Sequence, residues 1–206
     1  INCMKSALMM HGYSADVLDI ALVQMVRFLK NGVEYKASKR SGDAITLRDV
    51  CEEVGVDAMR YFFAMRAPSS HLDFDMDLAK EQSSNNPVYY AQYAHARLCS
   101  IIEQGKDIAI DEDAKLLEKP SEMALLKHLA SFSNVIVDAA KERAPYKITN
   151  YIHDLAKLVH GFYTECRVID RDNIDLSSSR LALCLASKIV MRNALDLIGV
   201  SAPERM

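Results

Sequence analysis

The sequence predicts a mainly α protein in which a small α/β part precedes a helix bundle. Three observations carry this. Composition shifts near Ser83–Pro87, from short mixed elements to long helical ones. Beyond the shift, Ile148, Ile152, Leu155, Val159, Phe162 and Cys166 recur at steps of three and four, which is one face of a helix. Ahead of it, two runs flank Lys30-Asn31-Gly32, a hairpin signal because Asn and Gly both tolerate positive φ.

Taken in order, residues 2–12 read as a short helix ending at His11-Gly12, and Asp16–Ile20 as a connection into a strand. Ala21–Leu29 and Val33–Lys36 form the two arms of the hairpin. Thr46 caps a helix through Val54, with Asp49 at the third position to return a bond to the cap, and Gly55 ends it. Asp57 is expected to cap the next helix, Ala58–Met65, which Pro68 closes off. Leu72–Asp77 alternates apolar and acidic residues, as a short exposed strand or extended segment does. Four long helices follow. The first opens at Asn86 with Pro87 in its first turn and runs to about Gln104. The second is capped by Ser121 and runs to about Arg143. The third follows Pro145 and reaches about Val168. The fourth is capped by Ser177 or Ser178 and closed by Gly199. Leu181, Leu183, Leu185, Ile189, Val190, Leu195, Leu197 and Ile198 make that fourth helix apolar nearly all round, so it is expected at the centre of the bundle.

Composition narrows the function classes. Half of the 206 residues are apolar by type, enough for a sizeable core, and no apolar run approaches the length that crosses a bilayer. The mixed stretch after Lys5 lacks the apolar core of a signal peptide. A formal charge of −3 argues against indiscriminate nucleic-acid binding but allows a local basic face. The five cysteines are scattered and odd in number, without a Cys-x-x-Cys pair, and the six histidines show no His-Glu-x-x-His pattern. No metal site is expected, and a reduced cytoplasmic protein is.

The segment Lys36-Ala37-Ser38-Lys39-Arg40-Ser41-Gly42 places two lysines around a serine just after the hairpin. Cations held where a leaving pyrophosphate gathers negative charge lower the barrier to attack on the α-phosphorus of ATP. The competing reading is a solvated basic turn, and composition alone favours it. Lys-Ala-Ser-Lys-Arg resembles the KMSKS signature of class I aminoacyl-tRNA synthetases, with Ala37 where Met is usual and Arg40 where Ser is usual. Further segments carry a more specific resemblance. They are Ser41-Gly42-Asp43-Ala44-Ile45-Thr46-Leu47-Arg48-Asp49, Val54-Gly55-Val56-Asp57-Ala58-Met59-Arg60-Tyr61-Phe62, His71-Leu72-Asp73-Phe74-Asp75, Asn86–Arg97 and the terminal Gly199–Met206. In order and spacing they resemble the arginyl-tRNA synthetase family over nearly the whole chain.

That resemblance implies a division into 1–84, the end of a class I catalytic (Rossmann-type) domain with its KMSKS-like loop and stem-contact region, and 85–206, an α-helical anticodon-binding domain. It implies ATP-dependent attachment of arginine to tRNA(Arg), with Lys39 as the catalytic cation and Lys36, Ser38 and Lys39 binding ATP. Mg²⁺ accompanies ATP in the full-length enzyme. The partners it implies are tRNA(Arg), arginine and ATP, with no membrane, and the state it implies is a monomer. Only 35 residues precede Lys36 and no His-x-Gly-His occurs. With Ile1 as first residue, the chain is expected to be a C-terminal fragment that binds no cofactor and is inactive alone. The alternative is a non-catalytic helical module that binds tRNA or a protein.

Sequence-specific RNA recognition targets unpaired bases with aromatic stacking and arginine planes. Tyr90, Tyr93 and Arg97 fall at i, i+3, i+7 on the first long helix, offset from Val88, Ala91, Ala94, Leu98 and Ile101. His160, Tyr163 and Arg167 repeat that spacing on the third. Tyrosines at helical spacing are also what core-edge residues with a satisfied hydroxyl look like. His95 and His160 read first as packing residues, Lys141, Arg143, Lys147 and Lys157 as solvated surface, and Arg60 as structural. By resemblance the anticodon contacts are Tyr90, Tyr163 and Met206, with Tyr93, Arg97 and Arg167 as neighbours.

Overall fold

The computed structural model of the chain describes residues 1–35, 46–111 and 113–206. Helix α1 (Asn2–Met10) and a 3₁₀ turn at Ala15–Val17 lead into a small sheet. Strand β1 (Val26–Lys30) turns through Asn31 and Gly32, at φ 54° and 71°, into β2 (Val33–Glu34), the expected hairpin, shorter on both arms. Helices α2 (Leu47–Val54) and α3 (Val56–Ala64) then cross over to β3 (Leu72–Asp75), which lies parallel to β1 with Val26 opposite Leu72 and Phe28 opposite Phe74. A parallel partner needs such a crossover, and two short helices provide it. The sheet order is β2-β1-β3.

Leu72–Asp77 is therefore not an exposed strand. Leu72 and Phe74 are buried, and Phe28, Phe62 and Phe63 pack around the Phe74 ring at 5.5, 5.3 and 5.8 Å. The alternation separates a core face from a wet face. Asp75 ends the strand and caps α4 (Met76–Lys80), a helix too short for the sequence to announce. Helix α2 has the expected reciprocal cap, the Thr46 hydroxyl accepting from Asp49 N–H and the Asp49 carboxylate from Thr46 N–H. Asp57 does not cap α3, which starts one residue before it, and its carboxylate is used elsewhere.

The bundle comprises α5 (Pro87–Gln104), α6 (Pro120–Ala130), α7 (Phe132–Glu142), α8 (Tyr146–Glu165) and α9 (Ile174–Leu197). The expected second helix is thus two. Its axis breaks at Ser131, whose hydroxyl donates to the His128 carbonyl at 2.7 Å, a local bond that competes with helix continuation. Asn173 rather than Ser177 caps α9. Ser177 ties the first turn to the preceding loop, its hydroxyl accepting from Asp170 N–H at 2.7 Å. The centre of the bundle is α8, not α9. Helix α8 packs against α3, α5, α6, α7 and α9, while α9 leaves Ile189 and Leu197 half-exposed.

Charge enters the core once among the described residues. Arg180 Nε meets Glu122 at 2.7 Å with both side chains almost wholly buried. Glu122 also accepts from Lys119 N–H and Glu118 N–H at 2.8 and 2.9 Å, opening α6. Burial alone raises this carboxyl, but these bonds and Arg180 outweigh it and hold it below the usual range.

Candidate nucleic-acid interface

Entry into α5 is fixed from both sides by one buried residue. Asn86 accepts from Val88 N–H at 3.2 Å and donates to the carbonyls of Ala79 and Glu81 at 3.1 and 2.9 Å. With the first turn set this way, Val88, Ala91, Ala94, Leu98 and Ile101 enter the core. Tyr89, Tyr90, Tyr93 and Arg97 are left on the surface or at its edge. Helix α8 supplies the opposite wall with His153, His160 and Tyr163.

These rings form a continuous aromatic face. Tyr89 stacks on Tyr93 at 6.3 Å and 12°, and Tyr93 on His160 at 5.9 Å and 20°. Tyr90 is tilted between His160 at 4.8 Å and His153 at 5.6 Å. An open pocket of about 400 Å³ is lined by Ser84, Tyr89, Tyr90, Tyr93 and His160. The Arg97 guanidinium, whose charge acts on His160, lies 4.2 Å from the Tyr163 ring centre and donates to the Tyr163 hydroxyl. Tyr93 and Tyr163 remain 41% and 40% exposed, so part of each side chain is within reach of a ligand.

Electrostatics suit a flat, uncharged base beside a phosphate. Burial, and then Arg97, push the His160 imidazole below the ordinary histidine value, and burial followed by Lys157 does the same to His153. Both are neutral at neutral pH. Burial raises the Tyr90 phenol, which stays protonated. Among the described residues, His160 Nε2 and His153 Nδ1 are buried without a hydrogen-bond partner, an unusual state for a polar atom. The wall is thus neutral π surface with one arginine at its edge, the combination that stacks unpaired bases.

The two expected triads meet rather than standing apart. Arg97 from α5 sits on Tyr163 from α8, so the ring and its cation come from different helices. Arg167 leaves the group, because α8 ends at Glu165 and Cys166 is extended. Its guanidinium pairs with Asp170 at 3.4 Å. Tyr89 and His153 were missed by sequence reasoning. The signals were there: Tyr89 and Tyr93 are four apart, and His153 and His160 seven apart, each pair on one helix face. Met206 lines a second pocket together with Tyr89 and Gln92, so Tyr89 borders both this pocket and the aromatic one. Lys36, Ser38 and Lys39 lie outside the described residues.

Comparison with known proteins decides what this helical part is. Residues 91–206 match the family described as the DALR anticodon binding domain. The chain belongs to this family. The DALR match opens inside α5 and runs to Met206, so it contains Tyr93, Arg97, Tyr163, Arg167 and Met206, with Tyr90 one residue ahead of it. Curated relatives include an arginine–tRNA ligase of Bacillus thuringiensis subsp. konkukian, 51% identical over 98% of this chain, and one of Bacillus subtilis, 49% identical over the same share. The chain spans 37% of the length of each. A crystal structure from Campylobacter jejuni, designated an arginyl-tRNA synthetase, superimposes over 98% of this chain and 44% of its own, with TM-score 0.87 and 32% identity. An arginyl-tRNA synthetase from Thermus thermophilus covers 82% of this chain and 29% of its own, with TM-score 0.63 and 25% identity. The mainly α reading and the family resemblance are thereby confirmed. No helix among the described residues is long and apolar enough to cross a membrane.

Proposed function

We propose that this chain is the tRNA-reading part of an arginine–tRNA ligase. What supports the reading is the stacked Tyr89, Tyr93 and His160 face with its Arg97–Tyr163 edge, lying on a domain of the DALR anticodon-binding family. Tyr90, Tyr93, Arg97 and Tyr163 stack on or contact unpaired bases of the anticodon loop of tRNA(Arg), and Met206 docks beside them. Arg167 serves only as a peripheral phosphate contact.

The whole protein joins arginine to its tRNA. The arginine carboxylate attacks the α-phosphorus of ATP, the bond to the β-phosphate oxygen breaks, and pyrophosphate leaves. A ribose hydroxyl of the tRNA then attacks the arginyl carbonyl and AMP leaves. Mg²⁺ enters with ATP. Lys39, assisted by Lys36 and Ser38, stabilises the departing pyrophosphate, on the likeness of that segment to the KMSKS signature. The enzyme works as a cytoplasmic monomer, and its catalytic part ends at residue 84. The 206-residue chain by itself does not support arginine-dependent ATP–pyrophosphate exchange in the presence of tRNA.

The test is equilibrium binding of tRNA(Arg) to the full-length protein carrying Tyr90→Ala or Tyr163→Ala. Loss of one stacking partner weakens binding by about 1–3 kcal/mol, with affinity for arginine and ATP unchanged. Wild-type tRNA binding by both variants would make the tyrosines core-edge residues and place the anticodon site elsewhere.

A further inference from the structure

Helix α9 ends in a way that needs no outside help. Gly199 N–H bonds the Asp196 carbonyl and Val200 N–H the Leu195 carbonyl, at 2.8 and 3.0 Å, with Gly199 at φ +66°. This closes the helix with its own carbonyls. Yet the eight residues from Gly199 do not leave for solvent. They return across α3 and α5 through a second set of bonds. Ser201 N–H donates to Asp57 Oδ1 at 3.1 Å, and the Ser201 hydroxyl donates to Asp57 Oδ2. Gln92 of α5 donates to Asp57 Oδ2 and to the Ser201 carbonyl at 2.8 and 3.0 Å. Arg60 Nε donates to the Ile198 carbonyl at 2.9 Å, and its guanidinium fills the space above Gly199 where a Cβ would come within 2.4 Å. Further along, His95 Nδ1 is 2.9 Å from the Pro203 carbonyl.

Asp57 and Arg60 are one turn apart on α3 and lie outside the matched family region, 91–206. Neither faces the aromatic pocket. Asp57 is free to do this because it does not cap its own helix. All of its described hydrogen bonds go to the tail and to Gln92. We infer that Asp57 and Arg60 are positioning residues that clamp the C-terminal tail onto α3 and α5, so that Met206 is held beside Tyr89 where the anticodon loop is read. This rests on the reading of the aromatic face and Met206 as the RNA site. A carboxylate accepting two bonds from one residue fixes that residue's orientation as well as its distance. Five residues further on, that is enough to decide whether the chain end meets α5.

The test uses the full-length protein and two readouts. In Asp57→Ala, amide hydrogen exchange at Ser201 speeds up by about tenfold or more, the scale of losing a bond to a charged acceptor. Charging then shows a raised KM for tRNA(Arg) with kcat at saturating tRNA unchanged. Removing Met206 raises the same KM, and the combined variant is no worse than the poorer single one within roughly twofold. Asp57→Asn, which keeps a carbonyl for Ser201 N–H but sets an amide donor where the second oxygen accepts from Gln92 and the Ser201 hydroxyl, recovers only part of the loss. Ser201→Ala, which leaves both helices intact, reproduces the KM effect should Asp57→Ala fold poorly. Unchanged Ser201 exchange in Asp57→Ala overturns the clamp. A loosened tail with unchanged KM, or losses that add independently, overturns its role in RNA binding while the anticodon reading survives in the tyrosine variants. If the tyrosine variants too bind tRNA normally, that reading falls and takes this proposal with it.

Discussion

Burial sets the protonation of three histidines that line α5 and α8. His95, His153 and His160 all fall below the ordinary value of 6.5, with burial as the largest cause in each. The sign follows from linkage. Above that value both folded and unfolded chains hold neutral imidazoles, and the stability is fully present. As pH falls below it the unfolded chain takes up protons first, so stability is lost until the depressed folded values are reached. The melting temperature should therefore drop between about pH 7.5 and about pH 5.5, and a variant carrying His153→Gln and His160→Gln should show a shallower drop. An equal slope in the two proteins would contradict this. Gly199 gives a second residue-scale prediction. At φ +66° with Arg60 pressed over it, Gly199→Ala should cost about 1–2 kcal/mol in urea unfolding from the left-handed backbone alone. A stability change within error would mean that the tail refolds around the methyl group.

At the level of elements, the buried Arg180–Glu122 pair joins α9 to the first turn of α6. Removing one partner leaves a charge in the core, so Arg180→Ala should cost about 3–5 kcal/mol. The double variant Arg180→Met with Glu122→Gln should cost clearly less than the two single changes summed, as urea denaturation would show. Equal costs would mean that water reaches the site. Local signals made most elements legible: Thr46 with Asp49, Asn86 with Pro87, Asn31-Gly32, and the apolar stripe of α8 each marked its element. What stayed hidden depended on partners distant in sequence. Phe74 is interior because β1 pairs beside it, which an alternating run cannot tell. Ser131 breaks a helix through a bond to His128, without the Gly or Pro that would have flagged it. The apolar circumference of α9 suggested the centre, but α8 holds it because five helices meet there.

For the whole molecule, the candidate site is an assembly of α5, α8 and the tail. The spacing of Tyr90, Tyr93 and Arg97 on α5, and of His160 and Tyr163 on α8, made the rings of both helices readable. Their fusion into one face was not, because Arg97 and Tyr163 are 66 residues apart and only packing of α5 on α8 joins them. Spacing also kept Arg167 on a helix that ends before it. The tail was readable only by resemblance, since nothing in its composition says that Ser201 meets Asp57, 144 residues earlier. In the full-length protein, Lys39→Ala should lower the adenylation rate by about 10²-fold or more, the scale of losing one preorganised charge at a developing anion, with little change in melting temperature. An unchanged pre-steady-state rate would leave Lys39 a solvated lysine.

Anticodon reading here requires α5 and α8 to present stacking surface to unpaired bases. The direct measurement is the dissociation constant of the full-length Tyr163→Ala protein for tRNA(Arg), and for the same tRNA with its anticodon loop bases removed. Wild type should discriminate strongly between the two RNAs, and the variant should lose affinity for the intact tRNA by about 5- to 150-fold while binding the abasic form no worse than wild type does. A variant that binds both RNAs as wild type does, or that loses affinity equally for both, would contradict anticodon reading through this face.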